Sequence, residues 1–385
     1  MSNKTEIVFT FAACMGGVAS FNFNIINHSQ LINNFYSKVI LLKADEDKRP
    51  VFLDKFKVDE VITFCYSHKE NQYYVQKRLN KLLGNGKGAI VTDNSLTVIA
   101  AHLFKNPKTV FHLIHDYFYV NQLIQLGDLV DASIAHSSFF SDAVFASNPE
   151  LFSNRSFYIP YGVKQLTQLP EKNSGKLNLV FLGRLDEGKG GIKLIEIDKG
   201  LKQLNINVNW TIIGKGPLKE ALLLQWNSNT NVSFYEPEST DEVYELLHSQ
   251  DVFVFPTTFE GTPVSILECL ANGIVTVTND LPGGIRDMVN ENTGFRCELN
   301  NVPEFISKIS MLHNDRKLLR QLQEACFAVS NSKYDIENNA DNYFFKFLEF
   351  DNLKRKIKLT IPRLSRLDRA YYPNFIIKYL RNNLK

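Results

Sequence analysis

Short runs of residues that are apolar at successive positions recur along this 385-residue chain, separated by longer stretches of helical pattern. They fall at 6–11, 39–42, 61–64, 89–91, 109–114 and 132–135. After Pro160 the pattern restarts, with runs at 177–182, 209–213, 232–235, 252–255 and 274–277. A strand that is apolar on both faces must be covered on both faces, as in a parallel sheet sandwiched by helices. Strand–helix alternation occurring twice predicts two doubly wound α/β domains. A chain this long has room for two such cores.

Residues 162–176 contain few apolar side chains and close on Asn173-Ser174-Gly175, so the break is expected there. The expected division is a first domain over 1–162, a linker over 163–176 and a second domain over 177–334. A terminal helix over 335–353 follows, with apolar positions near 336, 340, 343, 344, 347 and 348. In the last segment, 354–385, cations mix with Tyr371, Tyr372, Phe375, Ile376, Ile377, Tyr379 and Leu380. The overall charge of +2 hides this asymmetry. Residues 351–385 hold ten Lys/Arg against two Asp, a local +8, which leaves −6 for the first 350. An acidic body disfavours a nucleic-acid partner. A basic, aromatic-rich tail suits an anionic membrane surface, and packing of its aromatics on the first domain is the alternative. The five cysteines form no C-x-x-C pair, which fits a reducing cytoplasm. Neither a signal peptide nor an apolar run of spanning length is expected.

Several motifs carry chemistry. Gly183-Arg184-Leu185-Asp186-Glu187-Gly188-Lys189-Gly190 lies between a strand and a helix, where backbone N–H groups and the helix dipole favour an anion. Arg184 and Lys189 add positive charge. The string begins like a phosphate-binding loop of the G-x4-G-K type, but Gly190 replaces the Ser or Thr whose hydroxyl holds magnesium. Gly214-Lys215-Gly216-Pro217 is a second Gly-rich turn and fails as a dinucleotide fingerprint. Farther on, Glu260-Gly261-Thr262-Pro263-Val264 forms a turn after a buried strand, and Glu268 follows among Ile266, Leu267 and Cys269. A carboxylate in such surroundings is costly without a partner, and a pair of ribose hydroxyls would be one. In the first half, Gly16-Gly17 and His115 each follow a strand, at the ends where sheet ligands bind. Asp45-Glu46-Asp47 spells D-x-D but reads as a solvated loop, and no metal site is expected.

The ordered set Gly183-Arg184…Lys189-Gly190, Gly214-x-Gly216-Pro217, Glu260-Gly261-x-Pro263…Glu268 and Asp280-x-x-Gly283-Gly284 with Asn292-Thr293-Gly294-Phe295 resembles the retaining nucleotide-sugar glycosyltransferases of family 4. Weaker likeness extends over residues 6–345. The resemblance implies the GT-B fold, two Rossmann-like domains facing each other across a cleft. It further implies that Arg184 and Lys189 bind the donor diphosphate and Glu268 the ribose hydroxyls. Glu260 and His115 would reach the transferred sugar. Gly16, Gly17, Gly183, Gly214, Gly216, Gly261, Thr262, Pro263 and Val264 would line the donor. Glu260, His115, Arg184 and Lys189 are the expected catalytic set. The donor is expected to be a nucleotide-sugar, most simply a UDP-sugar, and the acceptor a glycan or lipid-linked glycan. No cofactor is expected. The setting would be cell-surface polysaccharide synthesis, peripheral on the cytoplasmic face of the membrane. Pro160-Tyr161-Gly162-Val163-Lys164 departs from the family's usual Pro-Asn-Gly-Val-Asp. A nucleotide-sugar epimerase or hydrolase of the same fold, a phosphate-loop NTPase and a sugar-binding protein without chemistry are the competing readings.

Overall fold

The computed structural model describes residues 5–14, 16–49, 51, 55–172, 175–226, 231–356 and 365–383. It divides into two units, one of residues 1–160 and 336–385, the other of residues 161–335.

The first unit holds a seven-stranded parallel sheet. Its strands are β1 (Thr5–Ala12), β2 (Phe35–Ala44), β3 (Glu60–Tyr66), β4 (Gly88–Thr92), β5 (Thr109–Ile114), β6 (Ala132–Ala135) and β7 (Ser156–Tyr158), in the order β3-β2-β1-β4-β5-β6-β7. The second unit holds β8 (Leu177–Leu182), β9 (Val208–Ile213), β10 (Val232–Tyr235), β11 (Val252–Phe255), β12 (Val275–Asn279) and β13 (Gly294–Cys297), in the order β10-β9-β8-β11-β12-β13. Both are doubly wound Rossmann-like sheets, the architecture of the GT-B fold. Strand order reverses between β1 and β4 in one and between β8 and β11 in the other. Ligands of such sheets bind outside the carboxyl ends of the strands at that reversal.

Two strands carried no readable signal, β7 and β13. Each is a short edge strand, Ser156-Phe157-Tyr158 and Gly294-Phe295-Arg296-Cys297, without an unbroken apolar run. The division falls after Pro160, and much of the stretch expected as a linker is held inside the second unit. Tyr161 and Val163 are buried there, and the Val163 amide donates to the Tyr334 carbonyl at 2.8 Å. Residues 173 and 174 of that stretch lie outside the described set.

The helix Ile336–Leu348 belongs to the first unit, although the whole second unit precedes it. Its Phe344 and Phe347 rings pack on Phe9 of β1 at 5.9 and 6.0 Å, and Phe347 also meets Phe111 of β5 at 5.2 Å. Burying an aromatic ring of this size contributes roughly 1.5–3 kcal/mol.

The described part of the tail is fastened to the first unit. Asn71, fully buried, donates from Nδ2 to the carbonyls of Arg369 and Tyr372, and its amide donates to Asn374 Oδ1. Asp368 Oδ1 accepts from the Gln72 amide at 2.7 Å, and the same carboxylate pairs with Arg381 at 2.9 Å. The final helix, Asn374–Asn383, therefore presents Ile377 inward and leaves Phe375 and Tyr379 74% and 68% exposed. Residues 357–364 and 384–385 of the basic segment lie outside the described set.

Candidate functional site

In the second unit, the turns after β8 and β11 meet at the reversal of strand order. Thr258 donates from its amide and its hydroxyl to the Gly188 carbonyl, at 2.9 and 3.1 Å. Gly190 lies at φ +76°, and a Cβ there would stand 2.2 Å from the Pro256 carbonyl oxygen. The position therefore has no room for the Ser or Thr of a magnesium-binding phosphate loop, which removes the geometric basis for the NTPase reading.

This junction brings Lys189 and Glu260 together. Lys189 Nζ lies 2.5 Å from Glu260 Oε1, and the Thr257 hydroxyl donates to the same oxygen at 3.0 Å. Burial pushes the Glu260 carboxyl above its ordinary range, and Lys189, Thr257 and Arg184 oppose that shift. Arg184 is placed differently. Its side chain is 78% exposed and pairs with Asp186 at 2.8 Å.

The helix Val264–Ala271 starts beside this pair, with Pro263 as its N-cap and no side chain capping it. Among the described residues, the amides of Gly261, Thr262, Val264 and Ser265 donate to no protein group. The Thr262 hydroxyl is buried and also lacks a partner. Gly284 closes the turn from behind, its amide donating to the Gly261 carbonyl at 2.8 Å. On the same helix, the Glu268 carboxylate has neither a hydrogen bond nor an ion pair among the described residues. Burial alone pushes its pKa up to about 7. The residue keeps some accessible surface, so the carboxylate lies in a recess rather than a sealed core.

The glycines divide into two groups. At Gly214 and Gly216 a Cβ would stand 2.0 Å from the Gly183 oxygen and 2.3 Å from the Leu185 oxygen. Their smallness is accounted for by the crossing of two backbone turns. At Gly183 nothing lies nearer than 3.8 Å, and at Gly16 and Gly17 nothing lies within 4 Å.

In the first unit, Gly16 and Gly17 border a cavity of about 570 Å³ outside the ends of β1 and β4. Asp93, Tyr119, Gln76 and Arg49 also line it. His115 adjoins Asp93, with Nε2 at 3.7 Å from Oδ2. Asp93 escaped the sequence reading although it follows β4 as His115 follows β5, and the strand-end rule would have found it. His112 lies fully buried within β5, its pKa lowered to about 3 chiefly by that burial. Two of the three carboxylates of Asp45-Glu46-Asp47 are engaged by protein: Asp47 pairs with Arg49 at 2.7 Å, and Glu46 accepts from the Ser67 hydroxyl at 2.5 Å. Among the described residues, no group of three or more His, Cys, Asp or Glu side chains is arranged to hold a metal.

Comparison with known proteins agrees with this fold. Residues 164–327 match the family model described as glycosyl transferases group 1. An uncharacterized glycosyltransferase of Haemophilus influenzae is 23% identical over 73% of this chain and 84% of its own length. The UDP-Gal:alpha-D-GlcNAc-diphosphoundecaprenol alpha-1,3-galactosyltransferase of Escherichia coli is 27% identical over 44% of this chain. The match spans less than half, 47%, of that relative's length. Among solved structures, Anabaena HepE in complex with UDP and glucose superposes with a TM-score of 0.69 at 15% identity, over 90% of this chain and 100% of its own.

Proposed function

We propose that this chain, a glycosyltransferase whose residues 164–327 belong to the glycosyl transferases group 1 family, moves a sugar from a UDP-sugar to a hydroxyl of a lipid-linked glycan, with retention of configuration. The carrying observation is the junction of the β8 and β11 turns. It sets one ammonium, one carboxylate and a row of unpaired amides at the reversal of strand order. Lys189 and those amides would receive the diphosphate, and Glu260, freed from Lys189, would accept a hydroxyl of the transferred sugar. Glu268 suits a ribose diol, because two hydroxyl donors are what a recessed, unpaired carboxylate lacks.

In the reaction the bond from the anomeric carbon to the phosphate oxygen breaks, and the acceptor oxygen bonds to that carbon on the same face. The acceptor proton passes to the departing phosphate. Catalysis then consists of stabilising the charge that grows on the diphosphate, with fixed donors aimed at it in advance. Lys189, with Arg184 swung inward, supplies that charge, so we propose that no metal is needed. The UDP donor is supported by the named reaction of the Escherichia coli relative and the UDP bound to HepE. That relative's diphosphoundecaprenol acceptor supports a lipid-linked one here.

We place the reaction at the cytoplasmic face of a membrane. Among the described residues no helix is long and apolar enough to cross one. The support is the tail's exposed Phe375 and Tyr379 beside Arg366, Arg369 and Lys378, which are also exposed. Calorimetry of UDP, GDP and ADP against the purified chain tests the donor reading. Saturable UDP binding that is lost in Lys189→Met is expected, and failure of all three nucleotides to bind overturns the proposal.

A further inference from the structure

His115 does not stand alone behind the first-unit cavity. Its Nδ1 lies 2.9 Å from His136 Nε2, and His136 Nδ1 lies 2.7 Å from the hydroxyl of Tyr343. That hydroxyl donates to the Ile159 carbonyl at 2.6 Å. Phe21 closes the group, its ring centroid 4.1 Å from that of His136 and 5.2 Å from that of His115.

The protons in this row can be assigned from its fixed end. A carbonyl only accepts, so the single proton of the Tyr343 hydroxyl is spent on Ile159. The hydroxyl oxygen must then accept from His136, which places the His136 proton on Nδ1. His136 is buried, and burial holds its pKa well below the ordinary histidine value, so it carries no second proton. Its Nε2 is therefore an acceptor and takes the proton on His115 Nδ1. A neutral His115 is left with a bare Nε2.

That bare nitrogen faces Asp93 Oδ2, and both atoms are buried without a hydrogen-bond partner. Left to itself, a neutral imidazole beside a carboxylate would turn its N–H towards it. The row from Ile159 forbids this. We propose that Tyr343 and His136 are positioning residues that hold His115 as the Nδ1–H tautomer, so that Nε2 and Asp93 together present two acceptors. The pair is buried, so a group that reached it would have to bring its own protons, as a hydroxyl does and a phosphate dianion does not. This deepens the transferase reading by naming what orients His115, and the row exists whether or not that reading holds. Tyr343 lies on the helix Ile336–Leu348, which enters the first unit only after the second has been traversed.

The test is a long-range proton–nitrogen correlation spectrum of the full chain labelled with ¹⁵N-histidine, recorded without substrate at a pH where His115 is neutral. His115→Asn assigns the signals. The expected result is a protonated Nδ1 and a bare Nε2 on His115, with the same pattern on His136. In Tyr343→Phe the row loses its fixed end, and the His115 proton is expected to move to Nε2, towards Asp93. A wild-type His115 protonated at Nε2 overturns the proposal without any variant having to fold. So does a folded Tyr343→Phe chain whose tautomers are unchanged. Neither outcome bears on whether UDP binds, so failure here is separate from failure of the transferase reading.

Discussion

The ammonium of Lys189 and the carboxylate of Glu260 are 71 positions apart in the chain and 2.5 Å apart in space. The cation best placed for a diphosphate is thus already paired, and donor binding must exchange one anion for another. Glu260→Gln relaxes that competition. UDP, which lacks the sugar Glu260 would contact, should bind this variant about tenfold more tightly, and Lys189→Met at least tenfold more weakly. These are the sizes expected for one charge-assisted hydrogen bond of roughly 1.5–3 kcal/mol. Calorimetric titration measures both, and weaker UDP binding by Glu260→Gln would contradict the exchange.

Glu268 predicts a pH signature. Its pKa is raised from 4.5 unfolded to about 7 folded. Between those values the folded chain holds a proton that the unfolded chain has released. Stability therefore falls as pH rises from about 4.5 to 7 and is flat in this contribution above that. The span corresponds to at most about 3 kcal/mol, less for the surface the residue keeps. Glu268→Gln should flatten that window in thermal melts recorded across pH, melt higher than wild type at pH 8, and bind UDP more weakly. A variant less stable than wild type at pH 8 would show that the carboxylate has a partner.

Gly214→Ala should cost more stability than any plausible loss of ligand contact. The new methyl would overlap the Gly183 carbonyl, at 2.0 Å. A loss of at least about 2 kcal/mol is expected, from overpacking and from a backbone that resists a side chain. Gly17→Ala, with nothing within 4 Å, should melt near wild type. Paired melting curves decide whether these glycines divide as described.

The tail permits a separation of docking from folding. Phe375→Ser combined with Tyr379→Ser alters side chains that are mostly exposed and should leave the melting temperature within a few degrees. Its binding to vesicles containing phosphatidylglycerol should fall severalfold or more. Asn71→Ala, in contrast, leaves the carbonyls of Arg369 and Tyr372 without their donor and should destabilise by about 1–3 kcal/mol. Unchanged vesicle binding of the double variant would remove the membrane role.

The two sheets were readable because parallel strands buried on both faces leave unbroken apolar runs. The candidate site residues could be named from the sequence because most of them follow those runs. Their pairing was not. Lys189 meets Glu260 only because β8 and β11 are neighbours, and strand order leaves no mark in a run of valines. Arg184 illustrates the opposite limit, since its position after β8 says nothing of the Asp186 that holds it outward. Nothing in the sequence around Asn71 marks it as buried. Its burial depends on Arg369, Tyr372 and Asn374, some 300 positions away. His136 and Tyr343 likewise carried no local signal.

The return of residues 336–347 to the first unit has a consequence for how the chain is made. The second unit is one unbroken segment, complete in sequence once Asp335 has been added. The first unit is begun earlier but finished later. Until Phe344 and Phe347 leave the ribosome, the faces of Phe9 and Phe111 that they cover have nothing to pack against. The order of synthesis is thus the reverse of the order of completion. The nascent first sheet therefore keeps apolar surface uncovered while the second unit is made, the condition under which folding intermediates aggregate.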